Sequence, residues 1–141
     1  MKYPWFDIAE EKLGECEVPG PRANEFIIEC LESTSIGSPY DQSDETAWCS
    51  AFTNRIMQLA GYGGTNSAWA RSWLMWGREP ADEEFGKGVI VILSRGAVSG
   101  HVGFLDDWDD DRVRLLGGNQ NNSVSYAWYS QDRVLGWRIP A

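Results

Sequence analysis

The hydrophobic pattern changes its period near residue 88, and this change constrains the fold more than any other feature. Before it, apolar side chains recur at helical spacing over 5–13, 24–31 and 48–61, with a shorter helix over 67–76. After it, β-branched and aromatic residues predict strands over 88–93, 101–105, 112–116, 124–129 and 134–139. The order predicts an α+β fold, with N-terminal helices packed on a C-terminal antiparallel sheet of about five strands.

The length and charge of the chain limit its function. A chain of 141 residues fits one domain, 1–141, which can bury a core without a metal or a disulfide. Lys and Arg number 12 against 21 Asp and Glu, a net charge of −9, which disfavours general binding to nucleic acid or to anionic lipid. The sequence has no apolar run of the ~20 residues that span a membrane. It also lacks the apolar segment of a secretory signal, so we expect a protein made in the cytoplasm that needs other factors to leave it. We also expect the protein to be a monomer.

Cysteine and histidine counts narrow the chemistry further. The three cysteines, Cys16, Cys30 and Cys49, cannot all pair within the chain, and whether Cys16 and Cys30 form a disulfide stays open. A single histidine, His101, excludes a zinc hydrolase that uses two or three histidine ligands. Without a Cys-x-x-Cys pair, a structural zinc site is also disfavoured. We therefore expect neither a metal nor a cofactor.

Cys49 and His101 are the candidate nucleophile and general base. Cys49 lies at the predicted start of the third helix, where unpaired amides and the helix dipole favour the thiolate. A free cysteine is also commonly a small buried residue, so its position alone does not decide its role. His101 begins a predicted strand and is the only imidazole available as a base. Gly103, on the same face of that strand, leaves space beside the ring for a substrate.

Asn119 is the candidate for the polar group that orients the histidine. It ends the strand that follows the strand of His101, and strands joined by a turn usually pair. An asparagine orients the histidine in papain-like enzymes. The segment Gly-Gly-Asn-Gln-Asn-Asn is equally typical of an ordinary turn. The order of Cys, His and Asn along the chain carries more weight than any one of them.

Several segments resemble the CHAP group (cysteine- and histidine-dependent amidohydrolases/peptidases) of papain-like cell-wall hydrolases. The resemblance is to a small single-domain variety found in phage lysis modules and bacterial genomes, and it spans about residues 4–139. The matching segments are Pro4-Trp5, Pro19-Gly20, Asp44-Glu45-Thr46-Ala47-Trp48-Cys49-Ser50-Ala51-Phe52, Ala70-Arg71-Ser72-Trp73, Gly100-His101-Val102-Gly103-Phe104 and Leu116-Gly117-Gly118-Asn119-Gln120.

The resemblance implies a papain-like fold and hydrolysis of an amide bond in bacterial peptidoglycan. It makes Cys49 the nucleophile, His101 the general base and then acid, and Asn119 the residue that orients the imidazole. Many members carry a glutamate where this chain has Gly117. Either Asn119 alone therefore completes the triad, or Gln120 shares its work.

The surroundings of the nucleophile supply the remaining candidates. The backbone amide of Cys49 is expected to stabilise the oxyanion, with a second donor from Gln42 or Thr46. Most of the eight tryptophans are expected in the core, with Trp48 and Trp73 as candidates for lining a substrate groove. The acidic charge would suit a substrate that bears free amines, although a solvated acidic surface explains it equally well.

The sequence disfavours calcium binding. Some CHAP proteins bind calcium through an acidic loop before the cysteine, but Asp41, Asp44 and Glu45 lack the density of carboxylates that such a loop needs.

The resemblance suggests an endolysin-type amidase or endopeptidase, released through a holin. The alternatives are a secreted amidase toxin with an immunity protein, and a wall-binding module without turnover. A glycosidase with two carboxylates is a further alternative, although nothing in the sequence marks such a pair.

Overall fold

The computed structural model describes residues 2–17, 24–34 and 48–141, and it confirms the α+β architecture. The helices are α1 (Pro4–Glu10), α2 (Glu25–Glu32) and α3 (Cys49–Leu59), and 3₁₀ helices cover Ala70–Met75, Asp82–Glu84 and Gln131–Arg133. The strands are β1 (Ile90–Arg95), β2 (Ser99–Trp108), β3 (Arg112–Gln120), β4 (Ser123–Ser130) and β5 (Val134–Arg138). No helix within the described ranges is both long and apolar enough to cross a membrane.

The strands form one antiparallel sheet in the order β4-β3-β2-β1-β5. β1 to β4 make the predicted meander, and β5 returns to pair with β1. β2 and β3 are longer than predicted, because backbone pairing continues through polar residues that the sequence places in turns. β3 reaches Gln120, and the turn to β4 contains Asn121 and Asn122, both with positive φ, as a tight hairpin requires.

The two faces of the sheet pack against different clusters. Val102, Phe104 and Leu116 face the helices and join the larger core with α1, α2 and α3. Leu105 and Leu115 belong to a smaller cluster on the other face. The alternation predicted along β2 is therefore confirmed for these apolar residues.

The structure bears on three further expectations: where α3 begins, which residues precede it, and whether the cysteines pair. α3 begins at Cys49 with Trp48 as its N-cap. Gln42, Thr46 and the acidic residues 41, 44 and 45 lie outside the described residues. Cys16, Cys30 and Cys49 are all free thiols, so the structure contains no Cys16–Cys30 disulfide.

Gly118 allows α3 to approach the sheet closely. An added Cβ at this position would lie 2.6 Å from Cζ3 of Trp48 and 2.7 Å from Cβ of Phe52. Both neighbours are completely buried, so neither side chain has free space into which it could move. The first turn of α3 therefore rests on a strand position that tolerates no side chain.

We predict that Gly118→Ala destabilises the protein by about 1–3 kcal/mol, the usual cost of overpacking a core. Urea unfolding would measure this loss as a lower midpoint. Gly63→Ala is the matched control, because an added Cβ there meets no atom within 4 Å. Equal stabilities of the two variants would contradict the close packing of α3 on β3.

Candidate active site

Cys49 lies in the first turn of α3, at the wall of a surface cavity. Its residue is 6% exposed. The cavity has a volume of about 200 Å³, and its lining consists of Cys49, Ala68, Trp69, Ala70, Arg95, Ser99 and Gly100. The thiol is therefore mostly buried, yet it borders a space that opens to solvent.

Hydrogen bonds fix the start of α3 to the segment that follows it. Ser50 donates its hydroxyl to the Ser67 carbonyl at 2.7 Å and accepts from Trp73 Nε1 at 2.9 Å. Asn54 Nδ2 donates to the carbonyl oxygens of Ser50 and Ser67, both at 3.1 Å. Trp73 is completely buried, so the prediction that it lines a substrate groove is wrong. Its indole instead holds the first turn of the nucleophile's helix.

The predicted preference of Cys49 for the thiolate is opposed by burial. Burial raises the pKa of the Cys49 thiol. The amide of Val102, the charge of Arg95 and the amides of Ser50 and Cys49 act in the opposite direction, but burial outweighs them. The helix start supplies the predicted stabilisation, and desolvation exceeds it.

Strand β2 brings His101 near the nucleophile, because Gly100, the residue before it, lines the same cavity as Cys49. The backbone amide of Val102, the residue that follows His101, lowers the pKa of the Cys49 thiol. The imidazole is completely buried, and its Nε2 lies 2.8 Å from Oε1 of Gln120. Its Nδ1 has no hydrogen-bond partner among the described residues.

The hydrogen bonds of Gln120 determine which ring nitrogen carries the proton. Its Nε2 donates to the carbonyls of Leu115 at 3.1 Å and Ser125 at 2.6 Å, which fixes the orientation of the carboxamide. Oε1 then faces His101 and can only accept, so the ring must donate from Nε2. In the neutral ring Nδ1 is consequently unprotonated, which is the state that a general base requires.

Tyr129, on β4, is a site residue that the sequence analysis missed. Its hydroxyl donates to Oε1 of Gln120 at 3.2 Å, and its ring centroid lies 5.3 Å from that of His101. The guanidinium of Arg133 covers the Tyr129 ring at 5.1 Å. No local signal marks Tyr129, because the contact depends on the path of the β3–β4 hairpin.

The structure places Gln120, rather than Asn119, on the imidazole. Asn119 has a positive φ of 60°, and the β3–β4 register shifts between Gly117 and Gln120. This bulge breaks the alternation and turns Gln120 towards the face of Gly117. An added Cβ at Gly117 would lie 2.9 Å from Gln120 Oε1, so the glycine leaves the space that the carboxamide occupies.

Two further substrate-binding predictions are corrected by burial. Trp48 is completely buried against Gly118, and its Nε1 has no hydrogen-bond partner in the described part of the chain. Gly103 offers no space for a substrate, because an added Cβ would lie 3.2 Å from Cβ of Leu115. The exposed residues at the cavity are instead Trp69, which is 52% exposed, Arg95 and Ser99.

Burial also lowers the pKa of His101, to about 4. The hydrogen bond to Gln120 opposes this shift, whereas the charges of Arg95 and Arg133 add to it. The two shifts favour a neutral thiol and a neutral imidazole in the free protein at pH 7. No group of three or more His, Cys, Asp and Glu within residues 2–17, 24–34 and 48–141 could hold a metal ion.

The fold is similar to that of a solved Staphylococcus aureus protein, described as similar to a lipoprotein of the NLP/P60 family. The TM-score is 0.57 at 18% identity, and the match covers 100% of this chain but only 44% of that chain. This likeness confirms the papain-like α+β fold. No protein-family model matches the chain, and no curated protein matches it in sequence. The CHAP resemblance therefore stays a prediction.

We predict that His101 stays neutral down to about pH 4, because burial disfavours the imidazolium. As the only histidine in the chain, it gives a single set of imidazole NMR signals that needs no further assignment. A pH titration followed by ¹⁵N-correlated spectra would report both the pKa and the Nε2–H tautomer. A midpoint near 6.5 would contradict the buried ring, and an Nδ1–H tautomer would contradict the Gln120 contact.

The same shift predicts how stability depends on pH. The pKa of histidine is 6.5 in the unfolded chain and about 4 in the folded protein. The neutral ring therefore contributes up to roughly 3 kcal/mol above pH 6.5, and this is lost as the pH falls towards 4. Unfolding of the wild type and of His101→Asn across this range would isolate the effect. If the free energy of unfolding depended on pH identically in the two proteins, the prediction would be contradicted.

Proposed function

We propose that this protein is a cysteine hydrolase that cleaves an amide bond in bacterial peptidoglycan. One observation carries the proposal: a thiol at a helix start borders an open cavity, and strand β2, which also lines that cavity, carries a histidine whose Nε2 is held by Gln120 and whose Nδ1 has no partner among the described residues. The papain-like fold, shared with an NLP/P60 protein, supports this chemistry. The CHAP-like segments around Cys49 and His101 point to the substrate.

The proposed reaction starts from the neutral pair. Nδ1 of His101 takes the proton of the Cys49 thiol as Sγ bonds to the amide carbonyl carbon. The negative charge moves to the carbonyl oxygen, where the backbone amide of Cys49 donates a hydrogen bond. Because thiol and imidazole are both neutral, proton transfer accompanies attack instead of preceding it.

Collapse of this intermediate releases the amine. The imidazolium of His101 donates its proton to the leaving nitrogen, the C–N bond breaks, and a thioester on Cys49 remains. Nδ1 then removes a proton from water as the oxygen attacks the thioester. The acid product leaves, and the proton returns to Sγ.

Gln120 keeps the imidazole in the productive tautomer throughout. Its Oε1 accepts from Nε2–H both in the neutral ring and in the imidazolium, so Nδ1 alone exchanges the proton. Tyr129 donates to the same oxygen and restrains it. These are positioning roles, because neither side chain takes up the transferred proton.

More specifically, we propose an endolysin-type enzyme that acts on the cell wall after holin-dependent release. It cleaves either between the lactyl group and L-alanine or within the stem peptides. An antibacterial toxin with an immunity partner would share this chemistry and differ in delivery. The masses of the reaction products separate the two kinds of cleavage.

We predict that the wild type releases soluble fragments from purified peptidoglycan and that Cys49→Ala releases none. Mass spectrometry of the digests identifies the bond: free peptides beside intact glycans indicate an amidase, and split stems or cross-links an endopeptidase. Circular dichroism would confirm that the variant is folded. Fragments from both proteins would exclude the thiol mechanism, and split sugars would favour a glycosidase. Binding without fragments from either protein would indicate a wall-binding module.

We predict that Gln120→Ala lowers kcat by roughly tenfold to a hundredfold, because the imidazole loses its orientation. Asn119→Ala is the matched neighbour, since its side chain makes no hydrogen bond to the ring. It should mainly affect stability, through the positive φ of its backbone. Turnover and urea midpoints of both variants would test this, and a larger loss of kcat in Asn119→Ala would overturn the assignment.

A further inference from the structure

The cavity beside Cys49 has a local charge opposite to that of the whole chain. Arg95 is the only charged residue among its lining residues within the described structure. The acidic residues at the far end of β2 begin at Asp106, seven residues along the strand from Ser99 at the cavity, a separation of about 20 Å in an extended strand. Asp106 is itself paired with Lys87 and Arg114. The net charge of −9 therefore does not describe the environment of the thiol.

Arg95 differs from the other basic residues of the described structure by having no partner. Its guanidinium makes no hydrogen bond, ion pair or ring contact in the part of the chain that the structure describes. The others each contact a carboxylate, a carbonyl or an aromatic ring: Lys2, Lys12, Arg55, Arg71, Arg78, Lys87, Arg112, Arg114, Arg133 and Arg138. Arg95 is thus exposed with all its donors available.

The backbone that carries Arg95 is held rigidly. Arg71 donates from Nε to the Ser99 carbonyl at 2.9 Å and from a terminal nitrogen to the Gly96 carbonyl at 2.8 Å. Trp69 Nε1 donates to the Val98 carbonyl at 3.1 Å. Three hydrogen bonds from neighbouring residues therefore fasten the β1–β2 turn. A site fixed in this way loses little conformational freedom on binding.

We propose that Arg95 binds a carboxylate of the substrate close to the amide bond that Cys49 attacks. A guanidinium matches a carboxylate with two parallel hydrogen bonds, and no described side chain competes for it. The exposed indole of Trp69, on the same cavity, can cover the apolar part of such a substrate. This inference deepens the proposed function and replaces the expectation, drawn from the net charge, of a substrate bearing free amines.

Two small alkylating reagents test the site without any peptidoglycan. Iodoacetate and iodoacetamide both react when a thiolate attacks the CH₂ carbon, forming a C–S bond and releasing iodide. They differ in bearing a carboxylate or a carboxamide beside that carbon. Both rates are proportional to the fraction of Cys49 that is ionised, so this fraction cancels when one rate is divided by the other. The cancellation matters because Arg95 also influences that fraction. Peptide mapping reads Cys49 separately from Cys16, which is exposed.

We predict that Arg95→Gln lowers the iodoacetate-to-iodoacetamide rate ratio at Cys49 about fivefold or more, because a nearby positive charge is removed. Arg112→Gln is the matched control, with the same change of net charge at the acidic β2–β3 turn, where Arg112 pairs with Asp109. It should leave the ratio unchanged. An equal ratio in the wild type and Arg95→Gln, or no alkylation of folded Cys49 by either reagent, would overturn the proposal.

Muropeptides with one stem carboxylate converted to a carboxamide extend the test to turnover. The wild type should cleave the carboxylate form with the higher kcat/KM, and Arg95→Gln should lose this preference. Equal cleavage of both forms by the wild type would overturn the role of Arg95 while leaving the hydrolase intact. Cleavage of neither form, together with a ratio that depends on Arg95, would exclude peptidoglycan but retain the carboxylate site.

Discussion

The contact between the first turn of α3 and Gly118 of β3 is the constraint on which the candidate site depends. Trp48 and Phe52 lie against a strand position that has no room for a Cβ, so these two side chains pack directly on the backbone of the strand. This packing brings Cys49 to the cavity that Gly100, the residue before His101, also lines. Nucleophile and base lie on separate elements, and their relative position is therefore set by core packing.

A single backbone conformation then determines how the histidine is held. The positive φ of Asn119 interrupts the alternation of β3 and directs Gln120 to the space left by Gly117. Asparagine is among the few residues other than glycine that adopt this conformation readily. Asn119 thus contributes through its backbone, while the neighbouring carboxamide makes the contact that the CHAP resemblance implies for Asn119.

Much of the fold follows from local patterns in the sequence, and much of the site does not. The change of period predicts the helices and the meander of β1 to β4, but not the return of β5 to β1. Alternation along β2 predicts which face Val102 occupies. The bulge at Asn119 could not be predicted, because the same residues fit a plain turn. The raised pKa of Cys49 could not be predicted either, because desolvation depends on packing that its neighbours in sequence do not reveal. Trp48 and Trp73 were misassigned for the same reason, since indoles serve a core and a groove equally well.

Burial and the charge of Arg95 both act on the protonation of Cys49 and His101, and a substrate bound at Arg95 would change the second of these effects. Desolvation disfavours both the thiolate of Cys49 and the imidazolium of His101. The charge of Arg95 aids the thiolate but opposes the imidazolium, so it makes proton transfer to Nδ1 no easier overall. A carboxylate bound at Arg95 would neutralise that charge and remove its opposition to the imidazolium. Acid catalysis by His101, which the leaving amine requires, would then be favoured when the substrate that Arg95 recognises is in place.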